Sequence, residues 1–429
     1  MNRIQFINPP HPYLRQPKAQ APLGMLYVAA AARERGVEVA LTDLSDRHWN
    51  DLGAFDDIPE ASLYGITGTI LDRTPCHKVA AFLKARDKRC RVVIGGPITL
   101  SPKHIDSRLF DAYVAGEGEH VIMDVLRDYP MLKKKYVGRR IEDLDSLPHP
   151  ARDLLGDDLG GDVFANRERY FEGGSTVFVT SRGCPFQCTF CASPKLWNRH
   201  LVYRDADAVA DEVDEVVARY GVRQFRFSDD NVTANRDHLT RICDRLGGKE
   251  IAWRASIRVR PNDVEMFEMM RRGGCTEVCF GIESGDDEVL HVLKKGASVK
   301  DNRTAVFNAK KAGLAVRLLM MMGAPGETVR TVDRNIEFLE SIRNHYDTMA
   351  LTNFTPLPGC QIADEPAKCG AEILSDDVDK FNLCFYGPSG EKNDFPNLVR
   401  PVGLTLEQLT ENKRRMVEYF TSTGKANQG

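Results

Sequence analysis

The segment TVFVT (176–180), followed without a break by SRGCPFQCTFC (181–191), joins an apolar, β-branched run to three cysteines within eight residues: Cys184, Cys188 and Cys191. The run predicts a strand, and Gly183 with Pro185 predicts the loop that ends it. From here a regular rhythm begins. Strand candidates recur at Gln224–Ser228, Ala252–Ile257, Glu277–Gly281, Val316–Met322 and Met349–Phe354, with helical stretches between them. Ala206–Tyr220, apolar at Val209, Val213, Val216 and Val217, is one such helix, and Asp263–Arg272, stopped by Gly273, is another. Six β/α units in about 180 residues predict a partial or full parallel barrel, with the cysteine loop on the face where barrels carry chemistry.

Residues 1–130 alternate strand and helix as well, the pattern of a doubly wound parallel sheet. Strands are predicted at Ile4–Asn8, Val37–Leu41, Ser62–Thr67, Val92–Ile94 and Ala112–Val114, and an Ala-rich helix at Pro22–Arg35. Glycines mark the strand exits: Gly68, Gly95 with Gly96, Gly116 and Gly118. They either make tight turns or let the backbone approach a ligand closely. Residues 131–174 break the rhythm with a basic run (Lys133–Lys135, Arg139, Arg140) and two prolines, and are expected to be a connector with a solvated basic face. Residues 175–355 form the barrel. Residues 356–429 are irregular apart from a helix at Thr405–Phe420, and are expected to form a small C-terminal cap.

Composition narrows the function classes. In 429 residues, 42% hydrophobic and 28% charged side chains describe a globular protein with a large core. The 58 basic and 61 acidic residues sum to −3, which gives no electrostatic footprint for nucleic acid or an anionic membrane. No run of 18 apolar residues occurs, and the N-terminus enters a strand without a signal-peptide pattern. Eleven cysteines, an odd number, predict reduced thiols and a cytoplasmic protein rather than a disulfide framework.

Three thiolates on one short loop can converge on a metal centre, and soft sulfur selects zinc or iron–sulfur sites. Structural zinc wants four protein ligands, yet the nearest histidine, His200, stands nine residues on without a partner motif. A 4Fe–4S cluster normally takes four cysteines; three would leave one iron open to bind and activate a ligand.

Cys184, Cys188 and Cys191, with Phe190 just before the third, resemble the signature of the radical S-adenosylmethionine (SAM) superfamily. Further matches end the later strands: Phe227 to Asn231, Trp253 with Arg258, Gly281 to Gly285, Gly323 to Glu327 and Thr355 to Gly359. The chain resembles the subclass with an N-terminal cobalamin-binding-type domain. The implied fold is α/β: a Rossmann-like cobalamin-binding-type domain, a partial (β/α)6 radical SAM barrel and a C-terminal cap. The resemblance implies a 4Fe–4S cluster on the three cysteines. SAM would be cleaved there reductively to a 5′-deoxyadenosyl radical, which abstracts hydrogen from an unactivated carbon.

SAM then needs polar partners. Ser228, Asp229 and Asp230 could meet its ammonium, Arg258 and Arg317 its carboxylate, and Glu283 and Ser284 its ribose. Phe190 and the backbone around Gly323 and Pro325 could flank the adenine. Taken singly, each has a bland rival; an Asp-Asp-Asn exit is often turn chemistry.

For cobalamin, Thr67, Gly68, Thr69, Gly95 and Gly96 stand where such folds approach the corrin. No Asp-x-His-x-x-Gly motif follows the first strand, and Ile98 stands where relatives often carry a polar residue after Gly-Gly-Pro. With cobalamin, the expected outcome is C-methylation of a small molecule, such as a sugar or antibiotic intermediate. Without it, the radical resolves by dehydration of a vicinal diol, epimerisation or decarboxylation. A tRNA-modifying enzyme is the distant alternative. Tyr203, Arg226, Arg254, Tyr386 and Arg400 are candidate substrate contacts. The expected partners are the substrate and an external electron donor of flavodoxin or ferredoxin type, or a dedicated reductase; no nucleic acid and no membrane are expected. The remaining cysteines, including Cys275 and Cys279, are read as packing residues.

Overall fold

The computed structural model describes residues 2–11, 14, 17–19, 21–156, 174–385 and 396–425. Two compact units divide the chain, one built on the N-terminal residues and the other on the segment from Phe178 onward, less Ala218–Val222.

The first unit contains β1 (Arg3–Asn8), α1 (Leu23–Glu34), β2 (Glu38–Asp43), β3 (Leu63–Thr67), α2 (Arg73–Arg86), β4 (Arg91–Gly95), β5 (Ala112–Ala115), α3 (Ile122–Asp128) and β6 (Lys135–Val137). All six strands pair in parallel in the order β2-β1-β3-β4-β5-β6. The central strands β1, β3 and β4 are nearly continuous apolar runs because a parallel sheet is covered on both faces. Strand order reverses between β1 and β3, and in open α/β sheets ligands bind at the carboxyl edge of that switch point. The expected connector is corrected here, since its residues Lys135–Val137 form the sixth strand. Only Tyr136 of the three is buried, so a period of two was invisible inside a basic run.

The second sheet opens with β7 (Ser175–Phe178). A short antiparallel pair, β8 (Ser181–Arg182) and β9 (Val202–Tyr203), flanks the cysteine loop and α4 (Ser193–Leu196). Then follow α5 (Ala206–Tyr220), β10 (Gln224–Phe227), α6 (Arg236–Leu246), β11 (Ala252–Ile257), α7 (Val264–Arg272), β12 (Cys275–Glu283), α8 (Asp287–Val292), α9 (Val299–Lys311), β13 (Ala315–Met322), α10 (Thr331–Ser341) and β14 (Thr348–Asn353). The sheet runs β7-β10-β11-β12-β13-β14, in chain order, with β10 to β14 paired in parallel.

Side chains alternate across this sheet. One face carries Phe225, Phe227, Trp253 and Phe280; Phe227 meets Phe225 and Trp253 edge to face, and Phe280 meets Phe267 of α7 in the same way. The opposite face carries Arg226, Arg254, Glu277, Cys279 and Arg317.

The C-terminal region adds α11 (Gln361–Asp364), the antiparallel pair β15 (Ala371–Ile373) and β16 (Val399–Pro401), α12 (Phe381–Phe385) and α13 (Leu406–Ser422). Thr405 and Gln408 close a capping box that starts α13. No helix among the described residues is long and apolar enough to cross a membrane.

Candidate active site

The cysteine loop is held at both ends by two consecutive acids that follow β10. Asp229 accepts from the Thr180 backbone N–H (2.9 Å), the Thr180 hydroxyl (2.7 Å) and the Ser181 hydroxyl (2.7 Å). Asp230 accepts from Gly183 N–H (3.3 Å) and the Ser193 hydroxyl (2.7 Å). Thr189, inside the loop, donates its N–H to Leu293 O and accepts from Ile362 N–H. Gly183 is required by geometry. Its φ is +107°, and a Cβ there would run onto the His200 carbonyl oxygen across the hairpin. Asp229 was expected to meet an ammonium group. The structure corrects this: both its oxygens are committed within the chain and the residue is buried, so it positions the loop. Ser228 and Asp230 are exposed.

Around Cys188 the loops converge. Arg258, just past β11, places Nη1 3.0 Å from Cys188 Sγ, gives Nη2 to the Lys295 carbonyl, and lies with its guanidinium 3.9 Å from the centre of the Phe186 ring. Lys295 Nζ is 2.7 Å from Glu283 Oε1 and 5.6 Å from the Phe190 ring centre. Glu283 ends β12 at φ +63°, where the register with β13 shifts. A non-glycine residue held there is the kind of local strain that clusters at functional sites. Lys295 and Phe186 were missed in the sequence. The only signal for Lys295 was a Lys294-Lys295-Gly296 run that reads like a solvated helix end. Ser284, expected beside a ribose, is buried instead: it donates to Asn335 Oδ1 (3.0 Å) and accepts from Asp286 N–H, which ties the β12 exit to α10.

Burial pushes the Cys184 thiol up and the Cys191 thiol up to about 12, so loading metal here must release protons. Among the described residues no group of three or more His, Cys, Asp or Glu side chains is placed to hold a single metal ion. A cubane cluster instead takes each thiolate on a different iron, which suits three thiols spaced along one loop. All eleven cysteines are free thiols.

At the β13 exit Gly323 adopts φ +74°, with Lys413 Cε of α13 2.9 Å from where its Cβ would stand. Glu327 Oε1 accepts from Ala324 N–H (3.1 Å), and Pro325 is buried beside it. Burial raises the Glu327 carboxyl to about 7 and lowers the Lys413 ammonium to about 8.

The first sheet's edge is built differently. Gly68 N–H donates to Gly95 O, and Ile98 N–H to Gly68 O. Gly96 has φ +85°; a Cβ there would come within 2.7 Å of Thr67 Oγ1 and 2.8 Å of Gly68 O. Ile98 is fully buried and serves the core. Asp72 accepts from Thr69 N–H (2.7 Å) and Oγ1 (2.8 Å), and its other oxygen meets His11 Nδ1 at 3.0 Å. Burial works against the Asp72 carboxylate, but the His11 and Thr69 contacts hold its pKa below the usual value. His11 follows β1 and Asp72 follows β3, so the pair bridges the switch point.

Two of the candidate substrate contacts serve the fold. Tyr203 packs its ring 4.5 Å from His238 of α6. Arg400 pairs with Glu372, its register partner across the β15–β16 hairpin. Tyr386 lies outside the described residues. Arg226 and Arg254 share the inner sheet face with Arg317, which lies within β13, below the Arg258 level.

Residues 178–339 match the Radical SAM superfamily and residues 18–126 the B12 binding domain. An uncharacterized methyltransferase of Pyrococcus horikoshii is 30% identical over 371 residues, 80% of this chain and 77% of that protein. An anaerobic magnesium-protoporphyrin IX monomethyl ester cyclase of Synechocystis is 26% identical over 71% of this chain and 65% of its own length. Among solved structures, the radical SAM methyltransferase TsrM of Kitasatospora setae superposes with a TM-score of 0.71 at 17% identity, over 99% of this chain and 91% of that one. The likeness in fold therefore extends through both units.

Proposed function

Because the chain belongs to the radical SAM superfamily and carries a B12-binding domain ahead of the radical SAM region, we propose that it is a methyl-transferring enzyme acting on a small molecule. Its cofactors are a 4Fe–4S cluster, S-adenosylmethionine and cobalamin. When bound, these groups supply an electron, a radical that takes hydrogen from an unactivated carbon, and a methyl group to take its place.

The observation that carries this reading is the loop of Cys184, Cys188 and Cys191 at the carboxyl edge of the second sheet, with Arg258 on the Cys188 sulfur. The three cysteines would hold the cluster, and Asp229 and Asp230 keep their loop in place. Arg258, a planar and permanently charged fork, is within reach of a thiolate and of a carboxylate placed beside it. Ser228 and Asp230, both exposed, are left to meet an ammonium group. Phe190, half-buried, offers a ring face for an adenine, whereas Gly323 and Pro325, also expected there, are buried. On the first sheet, Gly68 and Gly96 keep the edge at β3 and β4 free of side chains, which suits a large planar ligand such as a corrin. The similarity to the Pyrococcus methyltransferase and to TsrM supports methyl transfer over an unaided radical outcome.

Anaerobic reconstitution with iron, sulfide and hydroxocobalamin tests the reading. The expected result is brown protein that retains a corrin spectrum after gel filtration and, with reductant and SAM, releases 5′-deoxyadenosine and a methylated product. Colourless protein would sink the cluster assignment. A dehydrated product formed equally without cobalamin would replace methyl transfer by diol dehydration.

A further inference from the structure

We infer that Lys295 is a positioning residue of the SAM site: it holds the Glu283 carboxylate by one oxygen above Gly281, so that the other oxygen is presented as a fixed acceptor for the ribose diol of SAM. The inference rests on the radical SAM reading of this site.

The β12 exit makes room for this pair. Glu283 ends the strand at φ +63°, and beyond it Ser284 is tied inward to Asn335. The Glu283 carboxylate folds back over the strand. Its Oε1 lies 2.7 Å from Lys295 Nζ, and a Cβ on Gly281 would stand 2.5 Å from that oxygen and 2.8 Å from the ammonium. Glycine is therefore required at 281 by the ion pair and not by a left-handed backbone. Any side chain there would claim the volume that the two charged ends share.

Lys295 reaches the pair from a separate loop. α8 ends at Val292, and the chain turns back through Lys294 at φ +50° and Gly296 at φ +66°. Within that turn the Lys295 main chain is fixed: its N–H donates to Leu290 O (3.0 Å), and its carbonyl accepts from Arg258 Nη2. The side chain keeps only 5% of its surface open, between Glu283 and the Phe190 ring. An ion pair so buried adds little net stability, because desolvation of both charges offsets their attraction. Its effect is to hold a carboxylate in one place.

That carboxylate is only half used. Glu283 accepts one hydrogen bond within the chain, at Oε1; Oε2 has no hydrogen-bond partner among the described residues, and the side chain keeps 13% of its surface open. A carboxylate accepts at both oxygens, so Oε2 remains for a hydroxyl. The Lys295 carbonyl meanwhile holds Arg258, whose Nη1 is 3.0 Å from Cys188 Sγ. Side chain and main chain of one residue thus fix the two groups that would meet SAM at its ribose and at its carboxylate.

Equilibrium dialysis of SAM against the full-length, cluster-loaded chain tests the role, with iron content and cluster absorption measured on the same samples. Lys295→Met is expected to keep the cluster and to bind SAM about tenfold or more weakly. Lys295→Arg, which can still pair with Glu283, is expected to stay within a few-fold of wild type. Glu283→Gln should lose affinity as well. The double variant Lys295→Met, Glu283→Gln should bind no more weakly than the weaker single variant, because Lys295 acts through Glu283. Gly281→Ala keeps both charges and displaces only their flexible ends; the same weakening there carries the test where Lys295→Met fails to fold. Wild-type affinity in folded Lys295→Met or in Gly281→Ala, losses that add in the double variant, or loss of the cluster itself in folded Lys295→Met would overturn the role. A wild-type chain that holds the cluster yet binds no SAM removes the radical SAM reading, whereas those variant outcomes are read with wild-type binding intact and remove the role of Lys295 alone.

Discussion

Both sheets present loops at the carboxyl ends of parallel strands, yet the two edges are made of different material. The edge of the first, at β3 and β4, is largely backbone: Gly68, Gly95 and Gly96 pass close to one another, and the nearby Asp72 is folded under the loop onto His11. The edge of the second is side chain: thiols, two acids that staple their loop, and the Arg258 and Lys295 cations stacked on Phe186 and Phe190. A broad planar ligand needs room and main-chain contacts, which glycine supplies without chemical character. A metal cluster needs specific donors. The second edge therefore announces its chemistry in residue types and the first hardly does.

The contrast breaks most easily at the thiols. Replacing any one of Cys184, Cys188 or Cys191 by alanine is expected to abolish the cluster absorption and all 5′-deoxyadenosine release, while retained hydroxocobalamin is unchanged. A variant that keeps its colour would show that the cluster lies elsewhere. Next in size is Arg258→Gln, which removes the charge on the Cys188 sulfur and the cation over Phe186. The loss of a charge-assisted contact predicts SAM binding weaker by about 10- to 100-fold, read by equilibrium dialysis. Unchanged affinity would confine Arg258 to holding the loop.

The first edge should respond in the opposite sense. Gly96→Ala forces a side chain at φ +85° against Gly68 O and Thr67 Oγ1. Strain of this kind is on the order of 1–3 kcal/mol, so corrin retention should fall about tenfold or more while SAM cleavage in the absence of substrate stays intact. Equal damage to both would mean that the two edges are not independent in function.

How much was legible follows from the same distinction. The parallel strands were readable because short, continuous apolar runs that stop at glycine exits suit a sheet covered on both faces and little else. The expectation of a cluster on this loop came from the spacing of Cys184, Cys188 and Cys191 alone. Roles that depend on where a side chain turns were not. Asp229 and Asp230 are adjacent and chemically identical, yet one is buried under Thr180 and Ser181 and the other reaches Ser193. Ser284 belongs to a promising strand exit but is drawn inward by Asn335, fifty-one positions away. Lys295 looked like a solvated lysine until Glu283 and Arg258 met it. The strand Lys135–Val137 was hidden because a three-residue edge strand buries a single side chain.

The smallest expected effect is on stability, and it sets the two edges in opposite pH senses. Behind the second edge, burial raises Glu327 from its ordinary 4.5 to about 7. Between those values the folded chain keeps a proton that the unfolded chain has released, so stability falls as pH rises. Burial lowers Lys413 from 10.5 to about 8; between those values the unfolded chain holds the extra proton, and stability climbs as pH rises. At the first edge Asp72 is held below its ordinary 3.8 by His11 and Thr69. Its contribution is present above that value and disappears as pH falls through the lowered one. Glu327→Gln keeps an acceptor for Ala324 N–H without an ionisable group. It should flatten the decline of Tm between pH 4.5 and 7 and raise Tm at neutral pH by a few degrees, whereas Asp72→Asn should lower Tm at neutral pH and leave that decline in place. Identical Tm–pH profiles for wild type and Glu327→Gln would mean that Glu327 is ionised throughout, held so by the Lys413 charge, and the two edges would then titrate in the same sense.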